Sequence, residues 1–151
     1  MSEVEETVRR YYRTVDTLGA EATVALFTED AVYRRPGYEA FRGREALALF
    51  YGGERVIAEG RHTLEQVLVD GAHAAVRGQF RGVLHSGAEV DVCFADFLRY
   101  EGELIADGCG SPGVTTGSLD VILGCGSGCG SGSRRVWACS ACWRGMREGS
   151  W

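Results

Sequence analysis

Hydrophobic and polar positions follow two successive periods along this chain. In the first third, apolar residues recur every three or four positions, the helical period, and predict a first helix that Gly19 ends. The apolar stripe of this helix comprises Val4, Val8, Tyr11, Tyr12, Val15 and Leu18. Shorter helices are predicted at about residues 20–27 and 44–51, and a strand over residues 31–35 lies between them.

The middle of the chain alternates with period two, which is typical of strands. Three strands are predicted at about residues 61–69, 73–84 and 89–100, joined by Asp70-Gly71 and Ser86-Gly87 turns. A fourth strand begins at residues 103–106, and Gly108, Gly110 and Pro112 are expected to interrupt it. The order of elements predicts an α+β fold, in which a cone-like curved antiparallel sheet wraps the N-terminal helices and can enclose a pocket.

Asp96 is the polar exception on the apolar face of the third long strand. The other positions of that face are Val90, Val92, Phe94, Leu98 and Tyr100. A carboxylate there must have a partner, hold a proton or border a cavity, because burying an isolated charge is prohibitive. Two interpretations stay open: a core Asp satisfied by a neighbouring Tyr or backbone amide, and a functional acid in a pocket.

Composition excludes some classes of function. A length of 151 residues suits one domain, and a net charge of −5 argues against a nucleic-acid partner, which would need a basic surface. No apolar run approaches the roughly 20 residues that span a bilayer, and the acidic N-terminus does not resemble a signal peptide. We therefore expect a cytoplasmic protein with no membrane partner.

The chain changes character near Asp107. Residues 1–106 hold 18 of the acidic residues, whereas residues 107–151 hold three acidic residues and five of the six cysteines. We predict a domain over residues 1–106 and an irregular Gly/Ser/Cys-rich extension over residues 107–151. Cys125-x3-Cys129 and Cys139-x2-Cys142 are spaced like zinc ligands, but the gap between the pairs is short, so a loosely packed extension without metal or cofactor is favoured.

A shifted reading frame is a further hypothesis for the extension. All 16 basic residues are Arg, which indicates GC-rich coding, and GC-rich DNA read out of frame tends to encode Gly, Arg, Cys, Ser, Ala and Trp. The code also allows residues 108–112 to be read one base earlier as Met-Arg-Val-Thr, a run that would continue the strand. Resequencing the gene tests this hypothesis.

Four segments carry a resemblance to a known superfamily. They are Val8-Arg-Arg-Tyr11, Val24-Ala-Leu-Phe-Thr-Glu-Asp-Ala-Val-Tyr33, Pro36-Gly37 and Gly43-Arg-Glu-Ala-Leu47. In this order, within residues 4–106, they resemble the SnoaL-like and ketosteroid-isomerase-like (nuclear-transport-factor-2-like) superfamily, which includes polyketide cyclases and limonene epoxide hydrolase. The resemblance implies an enclosed pocket for a small molecule, and it favours a homodimer.

The resemblance also implies roles for individual residues. Tyr11 and Asp96 match the oxyanion-binding Tyr and Asp of ketosteroid isomerase, but Arg35 stands at the position of the base and cannot abstract a proton. Similarity to the SnoaL-type cyclases implies an intramolecular aldol closure in which Asp96 transfers the proton and Tyr11 or Tyr33 stabilises the enolate oxygen. Arg35 would favour an anionic or enol-bearing substrate.

Two further side chains are candidates for substrate binding. His62 follows the start of a strand and is predicted to share a face with Leu64, Gln66 and Leu68, either as a general base or as a structural histidine. Arg77 resembles the Arg of the epoxide hydrolase site, although Gln79 replaces one of its Asp residues; a solvated sheet face is the alternative.

Together these features favour an acid/base cyclase or isomerase that acts on a polyketide-like or other apolar molecule of secondary metabolism. The catalytic candidates are Asp96, Tyr11 and Tyr33, and the binding candidates are Arg35, His62 and Arg77. A non-catalytic ligand-binding or assembly-assisting protein is the alternative, and epoxide hydrolysis is the third possibility.

Overall fold

The computed structural model describes residues 1–36 and 38–112, and these residues form an α+β fold. The helices are α1 (Glu3–Thr17), α2 (Gly19–Val24) and α3 (Gly43–Leu49), and a π-helical turn (Phe50–Glu54) continues α3. The strands are β1 (Phe27–Arg34), β2 (Phe41–Arg42), β3 (Ile57–Asp70), β4 (His73–Leu84), β5 (Glu89–Glu101) and β6 (Leu104–Pro112). The predicted fold class, with N-terminal helices against a curved sheet, is confirmed.

The six strands form one open sheet in the order β2-β1-β6-β5-β4-β3. Neighbouring strands are antiparallel except for β1 and β6, which run parallel. The long strands β3, β4 and β5 form the expected meander, and β6 lies between β5 and β1. Because β6 pairs on both sides, it is a central strand of the sheet.

The expected interruption of the last strand is wrong. Strand β6 continues through Gly108 and Gly110 to Pro112. A Cβ atom added to Gly108 would lie 2.5 Å from Cδ2 of Tyr33, and one added to Gly110 would lie 2.8 Å from Oδ1 of Asp96. These two glycines therefore leave room for side chains of the neighbouring strands, while their backbones continue the hydrogen bonding of the sheet.

Most of the predicted extension lies outside the described residues. This applies to residues 113–151, and so to both cysteine pairs, to the expected loose packing and to the shifted-frame hypothesis. Within residues 1–36 and 38–112, no group of His, Cys, Asp and Glu is arranged to hold a metal ion. No helix of that part of the chain combines the length and apolar character that crossing a membrane requires.

Helix α1 forms as its apolar stripe predicts. The hydroxyl of Ser2 accepts a hydrogen bond from the Glu5 amide at 3.1 Å and caps the first turn. Val8, Tyr11 and Tyr12 are buried where the helix faces the sheet. The adjacent tyrosines both face inward, which places two phenol groups from a single turn of helix above the sheet.

Strand β3 contains a β-bulge that changes which residues face the helices. The register with β4 shifts between Leu64 and Gln66. His62 and Leu64 are partly buried before the bulge, whereas Val67 packs against the core after it and Leu68 is 58% exposed. The prediction that His62 shares a face with Gln66 and Leu68 is therefore wrong, because one extra residue exchanges the two faces of a strand.

Candidate functional site

A cavity of about 90 Å³ lies between α1, the π-helical turn and the inner face of the sheet. Its apolar wall includes Phe80, Leu84, Val90, Val92 and Phe94. The polar and ionisable side chains that line it are Tyr11, Tyr12, Tyr33, Arg35, Tyr51, Arg55, His62 and Asp96. A few polar groups converging in a largely apolar pocket are the usual composition of a small-molecule site.

Asp96 lines this cavity from the centre of the sheet. Its neighbours in register are Val76 of β4 and Gly110 of β6. The hydroxyl of Tyr12 donates a 2.5 Å hydrogen bond to Oδ2 of Asp96. The sequence left two interpretations of this carboxyl open. Asp96 has the tyrosine partner that one of them requires, and it also borders a cavity, as the other requires.

The tyrosine that contacts Asp96 is Tyr12, whereas the resemblance matched Tyr11 and Asp96 to two groups that bind one oxyanion. The Tyr11 hydroxyl instead forms a 2.9 Å hydrogen bond with the hydroxyl of Tyr51. Successive residues of an α-helix differ in direction by about 100°. Tyr12 is therefore directed to β5, whereas Tyr11 is directed to the π-helical turn.

Burial raises the pKa of the Asp96 carboxyl. The hydrogen bond from Tyr12 and electrostatic interactions with Arg35 and His62 oppose this effect, but they do not cancel it. The carboxyl therefore keeps its proton to a higher pH than an exposed Asp does. Such a group can donate a proton to a ligand atom and take it back within one reaction cycle.

Gly110 keeps one oxygen of Asp96 uncovered. A Cβ atom at position 110 would lie 2.8 Å from Oδ1 of Asp96 and 3.8 Å from the Tyr33 hydroxyl. Oδ1 accepts no hydrogen bond from the described residues, and both Asp96 and Gly110 line the cavity. This oxygen is therefore available to a ligand.

The π-helical turn delivers two side chains that sequence patterns did not assign to the site. Its wider hydrogen bond joins the Arg55 amide to the Phe50 carbonyl at 2.9 Å. Phe50, Tyr51 and Arg55 all line the cavity, and Phe50 is also buried in the core. Tyr51 packs against the core as well, so it belongs both to the core and to the cavity wall.

The phenol groups of the cavity are neutral hydrogen-bonding groups. Burial is the largest cause that raises the pKa of Tyr11, Tyr12 and Tyr33 above the ordinary value for tyrosine. Tyr33 is 2% exposed and lines the cavity near Gly110. These side chains can therefore act as donors to a developing negative charge but do not act as bases near neutral pH.

Arg34, the last residue of β1, and the following Arg35 point to opposite sides, as successive residues of an extended chain do. Arg34 forms two hydrogen bonds of 3.0 and 2.9 Å with the Asp107 carboxylate, whereas Arg35 lines the cavity with Cζ 5.7 Å from the centre of the Phe50 ring. Burial by itself would lower the pKa of Arg35, but nearby tyrosines and Asp96 raise it above its ordinary value. Arg35 is therefore a permanent cation and not a base.

His62 is held by Asp16, a residue of α1 that sequence patterns did not single out. Nδ1 of His62 lies 2.6 Å from Oδ1 of Asp16, and the backbone amide of His62 donates to Oδ2 at 2.8 Å. One oxygen of the Asp16 carboxylate thus holds the ring of His62, and the other holds its backbone amide. A carboxylate at Nδ1 favours the tautomer in which Nδ1 carries the proton and Nε2 carries the lone pair.

The ring of His62 packs between aromatic side chains on the cavity wall. Its centre lies 5.1 Å from that of Tyr12, 4.7 Å from Phe80 and 5.2 Å from Phe94. Nε2 has no hydrogen-bond partner among the described residues. Tyr12 therefore lies between His62 and Asp96, since its ring contacts His62 and its hydroxyl contacts Asp96.

Arg77 lies outside the site. Its side chain is 65% exposed and lies 3.5 Å from Glu65 on the outer face of the sheet. Gln79 and Arg81 bond to Asp91 on the same strand pair. The predicted binding role of Arg77 is therefore not supported by its position, which matches the solvated-face alternative.

Several solved structures share this fold. An NTF2-like protein of unknown function from Burkholderia pseudomallei is 19% identical, with a TM-score of 0.67 over 74% of this chain and 92% of that chain. The epoxide hydrolase/cyclase-like enzyme SalBIII, of pyran ring formation in salinomycin, is 23% identical, with a TM-score of 0.66 over 74% and 91%. The ketosteroid isomerase from Mycobacterium sp. is 23% identical, with a TM-score of 0.64 over 74% and 93%.

At these identities the solved structures show the fold, and no curated protein is detectably similar in sequence. The description of a SnoaL-like domain matches residues 8–108, which is more than half of the chain and nearly all of the described part. The resemblance predicted over residues 4–106 is thereby confirmed, and the chain belongs to the SnoaL-like family.

Proposed function

We propose that this protein converts a small, largely apolar molecule by proton transfer, as a cyclase or isomerase. One observation carries the proposal: Asp96 and His62 line the same cavity, and Tyr12 contacts both. Burial raises the pKa of Asp96, which favours a role as proton donor, and the contact of Asp16 with Nδ1 of His62 leaves Nε2 as the atom that would accept a proton. Pairs of titratable groups in unlike environments are the usual basis of acid/base catalysis.

In the proposed reaction, Nε2 of His62 removes a proton from a carbon next to a carbonyl group. The resulting enolate is stabilised by the neutral phenols and by the positive charge of Arg35. If the substrate has a β,γ double bond, the enolate is a conjugated dienolate, and Asp96 then protonates its γ-carbon, which completes an isomerisation. If the substrate has a second carbonyl group, Asp96 instead protonates the oxygen of the carbonyl that the enolate carbon attacks, which completes an aldol closure. In both cases the proton on His62 returns to Asp96 before the next cycle.

Arg35 at the position expected for a base does not conflict with this scheme. The geometry offers a base at His62 instead, supplied from β3 and oriented by Asp16 of α1. The sequence left open whether His62 is a general base or a structural histidine. In this proposal His62 is a base, and its hydrogen bond to Asp16 sets its tautomer. The apolar wall holds a flexible substrate folded, which supplies part of the acceleration of a ring closure.

Asp96→Asn and His62→Gln test the proposal. Both variants keep a polar side chain of similar size, and turnover is measured against a panel of aromatic polyketide, epoxide and enone compounds. We expect each variant to reduce kcat by about 10²-fold or more, the usual contribution of a general acid or base, with ligand affinity retained. Full turnover in both variants, with the wild type active, contradicts the proposal.

Non-catalytic ligand binding is the competing function. It is favoured by the bond from Tyr12, which already satisfies one oxygen of Asp96. The same panel separates the two functions, because a binding protein shows affinity without turnover in the wild type and in both variants. Epoxide hydrolysis ranks below both, since Arg77 lies on the outer face, away from Tyr33 and the cavity.

The cellular setting and the assembly of the protein remain proposals. We infer a cytoplasmic homodimer, as the sequence suggested. The outer face of the sheet carries exposed Leu68 and Phe97, which are placed in one row across the sheet by their shared neighbour Ala75. Analytical ultracentrifugation tests dimer formation, and a monomer over the whole concentration range contradicts it.

A further inference from the structure

Two arginines of the cavity have no carboxylate partner among the side chains that the structure describes. Arg34, Arg81 and Arg99 each lie within 3.0 Å of a carboxylate oxygen. Within the described part of the chain, neither Arg35 nor Arg55 makes such an ion pair, although both line the cavity. Nε of Arg55 is moreover fully buried and has no hydrogen-bond partner among the described residues.

Among the described residues, this arrangement leaves two partly buried positive charges in the cavity wall without a paired negative charge. A buried polar group without a partner costs free energy, and a buried cation costs more. Asp96 is the carboxyl group that lines the same cavity, but its Oδ2 already accepts from Tyr12, and burial favours its protonated form. The tyrosines supply neutral hydroxyl groups, which do not balance two guanidinium charges.

Arg35 and Arg55 both contact Phe50. Cζ of Arg35 lies 5.7 Å from the centre of the Phe50 ring, and the backbone amide of Arg55 is bonded to the Phe50 carbonyl. The charge of Arg35 contributes to the lowered pKa of Arg55, whose largest cause is burial. The like charges thus act on each other, and an anion between them would remove a repulsion as well as pair both.

We propose that Arg35 and Arg55 together bind a carboxylate group, so that the molecule this cavity accepts is a small apolar carboxylic acid. Guanidinium groups suit this role because their planar arrays of N–H donors match the two oxygens of a carboxylate. The apolar body of the acid packs against the wall that Val90, Val92 and Phe94 provide. A carboxylic acid is then the substrate class of the proposed function. Carboxylate binding rests on that function only in treating the ligand as a substrate.

Isothermal titration with a matched pair of probes tests the proposal at neutral pH. Naphthalene-2-carboxylate carries the anion, and naphthalene-2-carboxamide has nearly the same shape without charge. We expect the wild type to bind the carboxylate about tenfold or more tightly than the amide, because two charge-assisted contacts are made only by the anion. Equal affinity for both probes in the wild type overturns the proposal without any variant.

Arg35→Gln and Arg55→Gln then identify the groups responsible. Each variant is expected to reduce the preference for the carboxylate at least severalfold while affinity for the amide is retained. Arg77→Gln is the matched control, since it removes a guanidinium from the outer face and should leave the preference unchanged. A preference that survives in both cavity variants, or that Arg77→Gln abolishes, overturns the assignment.

Carboxylate binding and the proposed function can be contradicted independently of each other. If the carboxylate preference depends on the two cavity arginines and no compound of the panel is turned over, the binding proposal stands and the proposed function fails. If a neutral compound is turned over through Asp96 and the wild type shows no carboxylate preference, the proposed function stands and the binding proposal fails. Circular dichroism of each variant excludes unfolding as the cause of lost binding.

Discussion

The hydroxyl of Tyr12 bonds Oδ2 of Asp96 at 2.5 Å, which joins the first helix to the centre of the sheet across 84 residues of sequence. This contact holds the carboxyl in place and leaves its Oδ1 open toward the cavity, next to Gly110. The bond also opposes the effect of burial, which raises the pKa of Asp96. The geometry of this pair therefore bears on both the stability and the reactivity of the site.

The pH dependence of stability is expected to reveal the buried carboxyl. The folded protein binds the Asp96 proton more tightly than the unfolded chain, because the pKa is raised on folding. The contribution of this group to stability is therefore fully present below the pKa of the unfolded chain and is lost as the pH rises through the folded pKa. We predict that Asp96→Asn gains stability relative to the wild type as the pH rises from acid to neutral.

Urea titrations of the two proteins at several pH values measure this difference. Asp70→Asn, which changes an exposed Asp at the turn between β3 and β4, is the control and should follow the wild type. A constant difference between Asp96→Asn and the wild type across the pH range would show that burial does not perturb the carboxyl.

Removal of the Tyr12 hydroxyl should shift the titration of Asp96 upward. In Tyr12→Phe the carboxyl loses the hydrogen bond that lowers its pKa, whereas the effect of burial remains. We expect a higher pKa of Asp96 by carboxyl ¹³C NMR and a loss of about 1–3 kcal/mol in the free energy of unfolding, as for other buried polar groups left without a partner.

Tyr11→Phe is the matched control for this shift, because it removes an adjacent phenol that bonds Tyr51 and not Asp96. The Tyr11 variant should leave the Asp96 titration closer to that of the wild type than the Tyr12 variant does. Equal shifts in the two variants would contradict a direct role for the Tyr12 bond.

A methyl group at position 110 should displace the carboxyl of Asp96. The new Cβ would lie 2.8 Å from Oδ1, which is closer than carbon and oxygen approach without a shift. We predict that Gly110→Ala lowers the free energy of unfolding by about 1–3 kcal/mol, in the range of overpacked cores, and reduces activity. A double-mutant cycle with Asp96→Ala should show that this cost is smaller when the carboxyl is absent.

Gly52→Ala controls for the general effect of replacing glycine, since no atom lies within 4 Å of a Cβ added there. If Gly110→Ala costs the same in the presence and absence of the Asp96 carboxyl, the cost comes from elsewhere in β6.

Loss of the Asp16 carboxylate should impair the chemistry of His62 more than ligand binding. Asp16→Asn keeps the size of the side chain but weakens the hold on Nδ1 and on the backbone amide of His62. We expect kcat to fall by roughly 10²-fold, the lower end for a displaced general base, with KM nearly unchanged. A hydrogen-bonded Nδ1–H signal in ¹H NMR should disappear in Asp16→Asn.

In this prediction Asp16 positions His62 and does not itself react with the substrate. Asp16→Asn must therefore both abolish the Nδ1–H signal and lower kcat with KM nearly unchanged. Thr17, next to Asp16 on α1, has an exposed side chain, and Thr17→Ala is the control. A lower melting temperature with unchanged kcat would assign Asp16 a purely structural role.

Local patterns were sufficient to predict much of this molecule. The period of 3.6 residues defined α1, and the alternation along β5 placed Asp96 on the inner face of the sheet. These features depend on residues close in sequence, whose directions are set by backbone geometry alone. The same local regularity made the family recognisable before any contact was known.

Long-range contacts decided the rest. The helical pattern directed both Tyr11 and Tyr12 inward, and only the packing of α1 against the sheet selected Tyr12 as the partner of Asp96. A β-bulge in β3 inserts one residue and turned Leu68 away from the face that it was predicted to share with His62. A π-helical turn, which no local pattern predicted, brings Tyr51 and Arg55 to the cavity wall.

The sequence by itself determined the fold class, the family and the inward position of one carboxyl group, because periodicity and turn chemistry are properties of neighbouring residues. Only the tertiary structure determined which groups meet in the cavity: Asp16 with His62, Tyr12 with Asp96, and two arginines without a carboxylate partner among the described residues. The physical reason is that burial, pairing and charge balance depend on residues 40 to 84 positions apart, whose distances no local pattern specifies.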